Sequence, residues 1–133
     1  VGRGGHKMEI KVINQDFSIC KLENMSGINY EDEFFFLGKT EEELSLVCST
    51  GSVPDNVRSR DDGWRAFRIQ GVLDFSLIGI LSRITTLLAD NKIGVFAVST
   101  YNTDYILTKK ECFEKALKIL AGNGYVIIKT GGQ

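Results

Sequence analysis

The chain has 133 residues, 43% of them hydrophobic and 25% charged, with a formal net charge of −1. That is ordinary globular composition, enough for one domain or two very small ones sharing a core. It excludes the basic footprint of a nucleic-acid binder, and no apolar run approaches a membrane span.

Val1 to Lys7 lacks periodicity and reads as an expression scar or frayed tail, with Met8 the expected natural start. His6, the single histidine, lies in that tail. The body therefore lacks the imidazole that Ser-His and Cys-His pairs or a histidine zinc site need, so no enzyme, metal or cofactor is expected. Cys20, Cys48 and Cys112 are widely spaced. They read as free thiols of a reducing, cytoplasmic compartment.

In chain order, Met8 to Leu22 alternates, pauses at Asn14-Gln15-Asp16 and resumes, which predicts two short strands joined by a turn. Glu23 to Asp32 is polar and reads as a loop. Phe34 to Leu37 is a continuous apolar run, expected as a strand buried on both faces. Thr40-Glu41-Glu42-Glu43 has the spacing of a capping box opening one helical turn. Leu44 to Cys48 is strand-like. Ser49 to Gly63 is the longest polar connection, and the subdomain boundary is placed there.

The second half is more regular. Trp64 to Gln70 alternates as a strand. Leu77, Ile80, Leu81, Ile84, Leu87 and Leu88 form one apolar stripe, predicting a helix over Ser76 to Asp90. Ile93 to Ser99 and Asp104 to Leu107 read as strands around a polar turn. Thr108 to Glu111 reads as a capping box before a helix that ends at Gly122-Asn123-Gly124, and Tyr125 to Lys129 is the last strand. The order from Trp64 is β-α-β-β-α-β, an α+β, ferredoxin-like unit. The first half reads as an abbreviated relative. The domains are then 8–62 and 63–133.

Fold alone leaves function open. An RNA-recognition module needs several exposed aromatics, and Ile93 to Ser99 carries only Phe96. A metal chaperone needs paired cysteines in Leu73 to Ser76, which has none. An acylphosphatase-type enzyme needs an anion-cradling loop, and neither Arg83 nor Asn102 sits in a Gly-rich one. A small-molecule site asks for less. Backbone N–H groups opening the helix suit a carboxylate. Asp74 and Asp104 can accept from an ammonium, and Ser99, Thr100 and Asn102 add neutral hydrogen bonds. Two polar turns, Gly71 to Asp74 and Ser99 to Asp104, are thus expected to meet around a small ligand.

The segments Gly71-x-Leu73-Asp74-Phe75-Ser76-x-x-Gly79-Ile80-Leu81 and Phe96-Ala97-Val98-Ser99-Thr100-Tyr101-x-Thr103-Asp104-Tyr105-Ile106-Leu107 resemble the ACT-domain family. Within it they are most similar to small bacterial tandem-ACT proteins, which resemble the ligand-binding domains of aspartate kinase and of cytosolic arginine sensors. Glu43 to Cys48 and Gly63-Trp64-Arg65 share the pattern, which weakens over Glu23 to Asp32. The resemblance implies an amino acid held between ACT units. It would be bound by Leu73, Asp74, Phe75, Ser76, Gly79 and Ile80, and by Ser99, Thr100, Tyr101 and Asp104. It also implies a homodimer and an unidentified downstream protein partner.

Plainer roles stand beside these. Asp74 also reads as an N-cap, Asp104 as a self-satisfied turn residue and Tyr101 as cover for the core edge. Gly79, placed inside the helix, costs about 1 kcal/mol against Ala and needs a reason, either close packing or room for a ligand. The alternative function is an interaction or dimerisation module with no small ligand.

Overall fold

A computed structural model describes residues 8–70 and 78–129. Its elements are β1 (Glu9–Leu22), β2 (Phe35–Lys39), β3 (Leu44–Ser49), β4 (Val57–Ile69), α1 (Ile80–Asp90), β5 (Phe96–Ser99), β6 (Asp104–Lys109), α2 (Lys110–Gly122) and β7 (Val126–Lys129). The fold is mixed α/β, with two helices and a mainly antiparallel sheet. Among the described residues, no helix is long and apolar enough to cross a membrane.

The chain divides into two units. One holds residues 15–64, and the other holds residues 8–14 with the described part of the chain from Arg65 onward. Residues 8–14 thus group with the later part of the chain. The cause is strand pairing. Glu9↔Val126 through Val12↔Lys129 pair β1 with β7 in parallel, and Val126 N–H donates to the Met8 carbonyl at 3.0 Å.

In the 15–64 unit the strand order is β2-β3-β1-β4. Phe17↔Ser49 to Lys21↔Ser45 sets the β1–β3 register, and Phe35↔Cys48 to Lys39↔Leu44 sets β2–β3. Cys20, Leu22, Ile28, Leu44, Leu46 and Cys48 form its core. Four expectations are corrected in this unit.

First, β1 is one continuous strand. Asn14 and Asp16 are exposed, yet the backbone stays extended and the Gln15 amide donates to Ser49 Oγ at 2.7 Å. The polar triplet interrupts the buried face without interrupting the strand. Second, the Phe34–Leu37 run is not buried on both faces. Strand β2 is at the end of the order, its phenylalanines are half-buried and Leu37 is exposed. Third, Thr40 opens no helical turn. Its Oγ1 accepts the N–H groups of Glu42 and Glu43 at 3.1 and 3.2 Å, closing the β2–β3 hairpin. The local bonding that caps a helix serves equally well to tighten a turn. Fourth, the polar connection from Ser49 shortens to a 3-10 turn (Thr50–Ser52) and a few residues, because β4 already begins at Val57. Residues 58–62 are charged or polar and exposed, as suits a strand at the edge of its unit.

Burial pushes the Cys48 thiol up to about 12, with the adjacent Cys20 adding to the effect. The folded state thus keeps its proton where the unfolded thiol, near 9.0, has lost it. Stability from this group is complete below pH 9.0 and falls as pH rises from there toward about 12. Urea unfolding across that window should show a shallower decline for Cys48→Ala than for the parent chain.

The second unit has strand order β1-β4-β6-β5, with β7 beside β1. Among the described residues its elements from β4 onward are β4, α1, β5, β6, α2 and β7. The apolar stripes of both helices, Ile84 and Leu88 from α1 and Phe113, Ala116, Leu117 and Leu120 from α2, join one core with Ile10, Phe67, Ile69 and Ile106 of the strands. Burial of one stripe per helix against a sheet explains why the sequence periodicity was so clear here.

Details still shift. Helix α1 starts at Ile80 rather than Ser76, and residues 71–77 lie outside the described residues. Strand β5 starts at Phe96, because the Ile93 N–H bonds to the Leu88 carbonyl of the helix at 3.0 Å and not to a strand neighbour. No capping box forms at α2. Its N-cap is Lys109, which makes no side-chain capping bond, while Thr108 is fully buried in β6 and its Oγ1 donates to the Lys109 carbonyl at 3.2 Å.

Candidate functional site

Of the predicted site residues, Leu73, Asp74, Phe75 and Ser76 lie outside the described residues. The others fall in two places, both in the second unit.

Ser99, Thr100, Tyr101 and Asp104 form the β5–β6 turn. Ser99 and Asp104 are register partners across the hairpin, and Ser99 Oγ donates to Asp104 Oδ1 at 2.5 Å. Thr100 N–H and Thr100 Oγ1 each donate to the Thr103 carbonyl at 2.8 Å. Buried Thr103 then ties the turn inward, its Oγ1 donating to the Ile69 carbonyl at 2.7 Å. Ile69 is the last residue of β4. The turn is therefore anchored to the strand end that leads into residues 71–77. Asp104 thus has a local side-chain partner in Ser99, where its plainer role names its own backbone. Tyr101 is 83% exposed, so its ring does not cover the core edge.

Gly79 and Ile80 stand at the opening of α1. Gly79 is the N-cap, outside the helix, with φ 83° and ψ 5°. A Cβ placed there would meet nothing within 4 Å. Its reason is therefore backbone conformation, which a β-carbon disfavours, and not close packing. Among the described residues, no side-chain bond caps this helix. The first intrahelical bond, Arg83 N–H to the Gly79 carbonyl at 2.9 Å, leaves the earlier N–H groups without one.

In front of this helix opening lies a cavity of about 530 Å³, lined by Gly79, Ile80, Arg83, Tyr125 and their neighbours Met8, Ile78, Asn123 and Gly124. That volume is within the range of small-molecule sites. The Arg83 guanidinium stands 5.8 Å from the centroid of the Tyr125 ring, a cation–π distance that orients the charge. The site thus combines the N–H dipoles of a helix N-terminus, one guanidinium and apolar or aromatic walls. It can take up a small anion joined to an apolar body.

Reading the sequence in segments missed Arg83, Tyr125, Asn123 and Gly124. Arg83 carried a usable signal, since it lies three residues after Ile80 and so on the same helix face. Tyr125 carried none, because only the return of β7 to β1 brings it to the opening of α1.

The ACT-domain family profile matches residues 59–122. A search of curated proteins finds no match. Among solved structures, the protein Atu0741 of Agrobacterium tumefaciens is 30% identical, with a TM-score of 0.85 over 97% of this chain and 98% of that one. The aspartate kinase of Clostridium acetobutylicum is similar at 14% identity and a TM-score of 0.63, covering 88% of this chain and 34% of the kinase. The regulatory subunit of aspartate kinase from Thermus thermophilus, in its ligand-free form, has 9% identity and a TM-score of 0.60, covering 88% of this chain and 98% of the subunit. The two kinase likenesses speak to the fold.

Proposed function

The chain belongs to the ACT-domain family, and from that membership we infer that it is a non-enzymatic regulatory protein that binds a small amino acid. The observation that carries this reading is the cavity of about 530 Å³ at the opening of α1, with Arg83 on its wall. A ligand carboxylate would lie against the first N–H groups of α1 and Arg83, and the ligand side chain against Ile80 and Tyr125. The Ser99–Asp104 turn would supply the acceptor for an α-ammonium through Asp104, and the segment Leu73 to Ser76 would complete the wall.

Several further features belong to the same proposal. We take residues 63–133 as an ACT domain of ferredoxin-like type and 8–62 as its ACT-like tandem partner, amended so that the start of β1 goes with the later unit. The protein works as a homodimer in the cytoplasm and passes its signal to a separate protein. Buried Cys20 and Cys48 accord with a reducing compartment.

The test is calorimetric titration with the common amino acids, followed by Asp104→Ala. One or two amino acids should bind, and Asp104→Ala should weaken binding by about tenfold or more, the typical worth of a hydrogen bond to a charged group. A folded Asp104→Ala chain with full affinity removes Asp104 from the site. The dimerisation module is favoured by one observation, the exposure of Tyr101 at 83% and Ile78 at 93%. It predicts no titration with any amino acid, and a monomer–dimer equilibrium in sedimentation that Tyr101→Ala shifts.

A further inference from the structure

Strand β2 ends the strand order of the 15–64 unit, with β3 as its neighbour. The register shows which of its backbone groups point away from β3. Thr40 N–H donates to the Glu43 carbonyl at 3.0 Å, and this pair continues the β2–β3 register, in which Lys39 lies opposite Leu44. Hydrogen-bonded and non-hydrogen-bonded pairs alternate along an antiparallel ladder. Phe36 and Gly38 therefore turn their N–H and C=O groups toward β3. Those of Phe35, Leu37 and Lys39 point outward, where β2 has no strand neighbour among the described residues. Phe35 and Leu37 share one face. Phe35 packs against the core of Cys20, Leu22 and Leu46, while Leu37, opposite buried Leu46, stays exposed. The ring of Tyr30, itself 57% exposed, stands 5.8 Å from that of Phe35 in edge contact. An outward row of peptide groups beside exposed apolar side chains is the surface that takes up an added strand.

Charge decides the occupant. Glu31 and Glu33 precede β2, Glu41, Glu42 and Glu43 follow it, and all five are exposed. Between Glu31 and Glu43 the only basic residue is Lys39, in a chain with 16 basic and 17 acidic residues. Among the described residues none of the five is in an ion pair. An antiparallel second copy of β2 would bring the carboxylates at one end against those at the other, and like charges placed opposite one another repel. A short strand and flanking charges are also the common protection of a sheet edge. Such protection is indifferent to sign, and here both ends have the same one. The edge thus rejects its own copy and attracts a strand with positive ends.

We propose that β2 is a docking edge for an extended segment of another protein, one with alternating apolar side chains and lysine or arginine at its two ends. Backbone hydrogen bonds to Phe35, Leu37 and Lys39 hold the segment, its apolar side chains meet Leu37 and Tyr30, and its basic ends meet the two groups of glutamates. The edge lies within the 15–64 unit and does not depend on the amino-acid site at α1.

The test is an NMR titration of the full chain with three capped heptapeptides. One alternates valine and threonine between terminal lysines. The second has glutamates in place of the lysines, and the third is the lysine peptide N-methylated at every central residue. The lysine peptide should shift the amides of residues 35–39 saturably at millimolar concentration. It should also slow hydrogen exchange at the Phe35, Leu37 and Lys39 amides, which a purely electrostatic association leaves unmoved. The glutamate and N-methylated peptides should each bind about tenfold more weakly or less well still. Combining Glu33→Gln, Glu41→Gln and Glu42→Gln should remove most of the difference between the lysine and glutamate peptides. Equal binding of those two peptides by the parent chain overturns the proposal, as does undiminished binding of the N-methylated one. Absence of a saturable shift with the lysine peptide also overturns it, and assigns the glutamates to protection of the edge. Shifts of the same amides on concentrating the chain alone overturn it in favour of a second copy. The comparison of peptides needs no variant, so it decides even if the triple variant fails to fold.

Discussion

A cognate amino acid at about 100 times its Kd is expected to raise the stability of this chain by about 2.7 kcal/mol, through mass action on the folded state alone. For a chain of this size that corresponds to a rise of roughly 10 °C in Tm, readily seen in a thermal-unfolding screen of the purified protein. The signature should be graded: ligands differing by a methylene separate by only about 1–3 kcal/mol, whereas a missing polar partner costs more. Arg83 gives the sharper arm of the experiment. It is exposed, lines the cavity and stands over Tyr125, so Arg83→Ala should leave the unliganded Tm nearly unchanged. Losing the guanidinium should weaken a carboxylate ligand by about tenfold. At the same concentration the stabilisation would then fall to about 1.4 kcal/mol, half the parent value. A full-sized shift in Arg83→Ala places the carboxylate elsewhere. Flat melting curves across all amino acids at millimolar concentration turn the reading toward the interaction module.

Phe67→Ala is expected to remove about 3–5 kcal/mol of folding stability, a large share of the 5–15 kcal/mol typical of such a domain. Phe67 is 0% exposed, and its ring lies 6.2 Å from that of Phe113, centroid to centroid. It thereby joins β4 to α2 in the core that also holds Ile84 and Leu88 of α1. Truncation deletes the aromatic area and leaves a cavity that a strand and two helices cannot jointly collapse around. Urea unfolding monitored by circular dichroism measures the loss. Val126→Ala, at a position 40% exposed, is the control and should cost far less. A Phe67→Ala loss no larger than that of the control would mean that this core is not the one that sets the stability of the second unit.

The two predictions draw on parts of the molecule that were unequally legible. The helices of the second unit, their stripes and the alternation of Trp64 to Gln70 follow from spacing alone, because each buries one face and periodicity records burial. The Ser99–Asp104 turn was legible for the same local reason. Its hydroxyls and carboxylate sit within a few residues of one another and bond one another, as Ser99 Oγ and Asp104 Oδ1 do at 2.5 Å. Gly79 was flagged as costly in a helix, and it proves to lie just outside one, in the left-handed region that glycine tolerates.

Elsewhere, local pattern and tertiary setting disagree. Asn14 to Asp16 reads as a turn because polar residues break the alternation, but β1 has strand partners on both sides of that break, β7 before it and β3 after it. Phe34 to Leu37 reads as doubly buried, yet burial depends on what lies beside the strand, and β2 is last in its order. Thr40 and Thr108 carry capping chemistry that a hairpin and a buried strand end use instead. The candidate cavity shows the same division. Sequence alone picked out Gly79 and Ile80, local features of one helix start. Met8 and Tyr125, near opposite ends of the chain, join them only because β7 runs beside β1, a pairing between distant residues that no local spacing encodes.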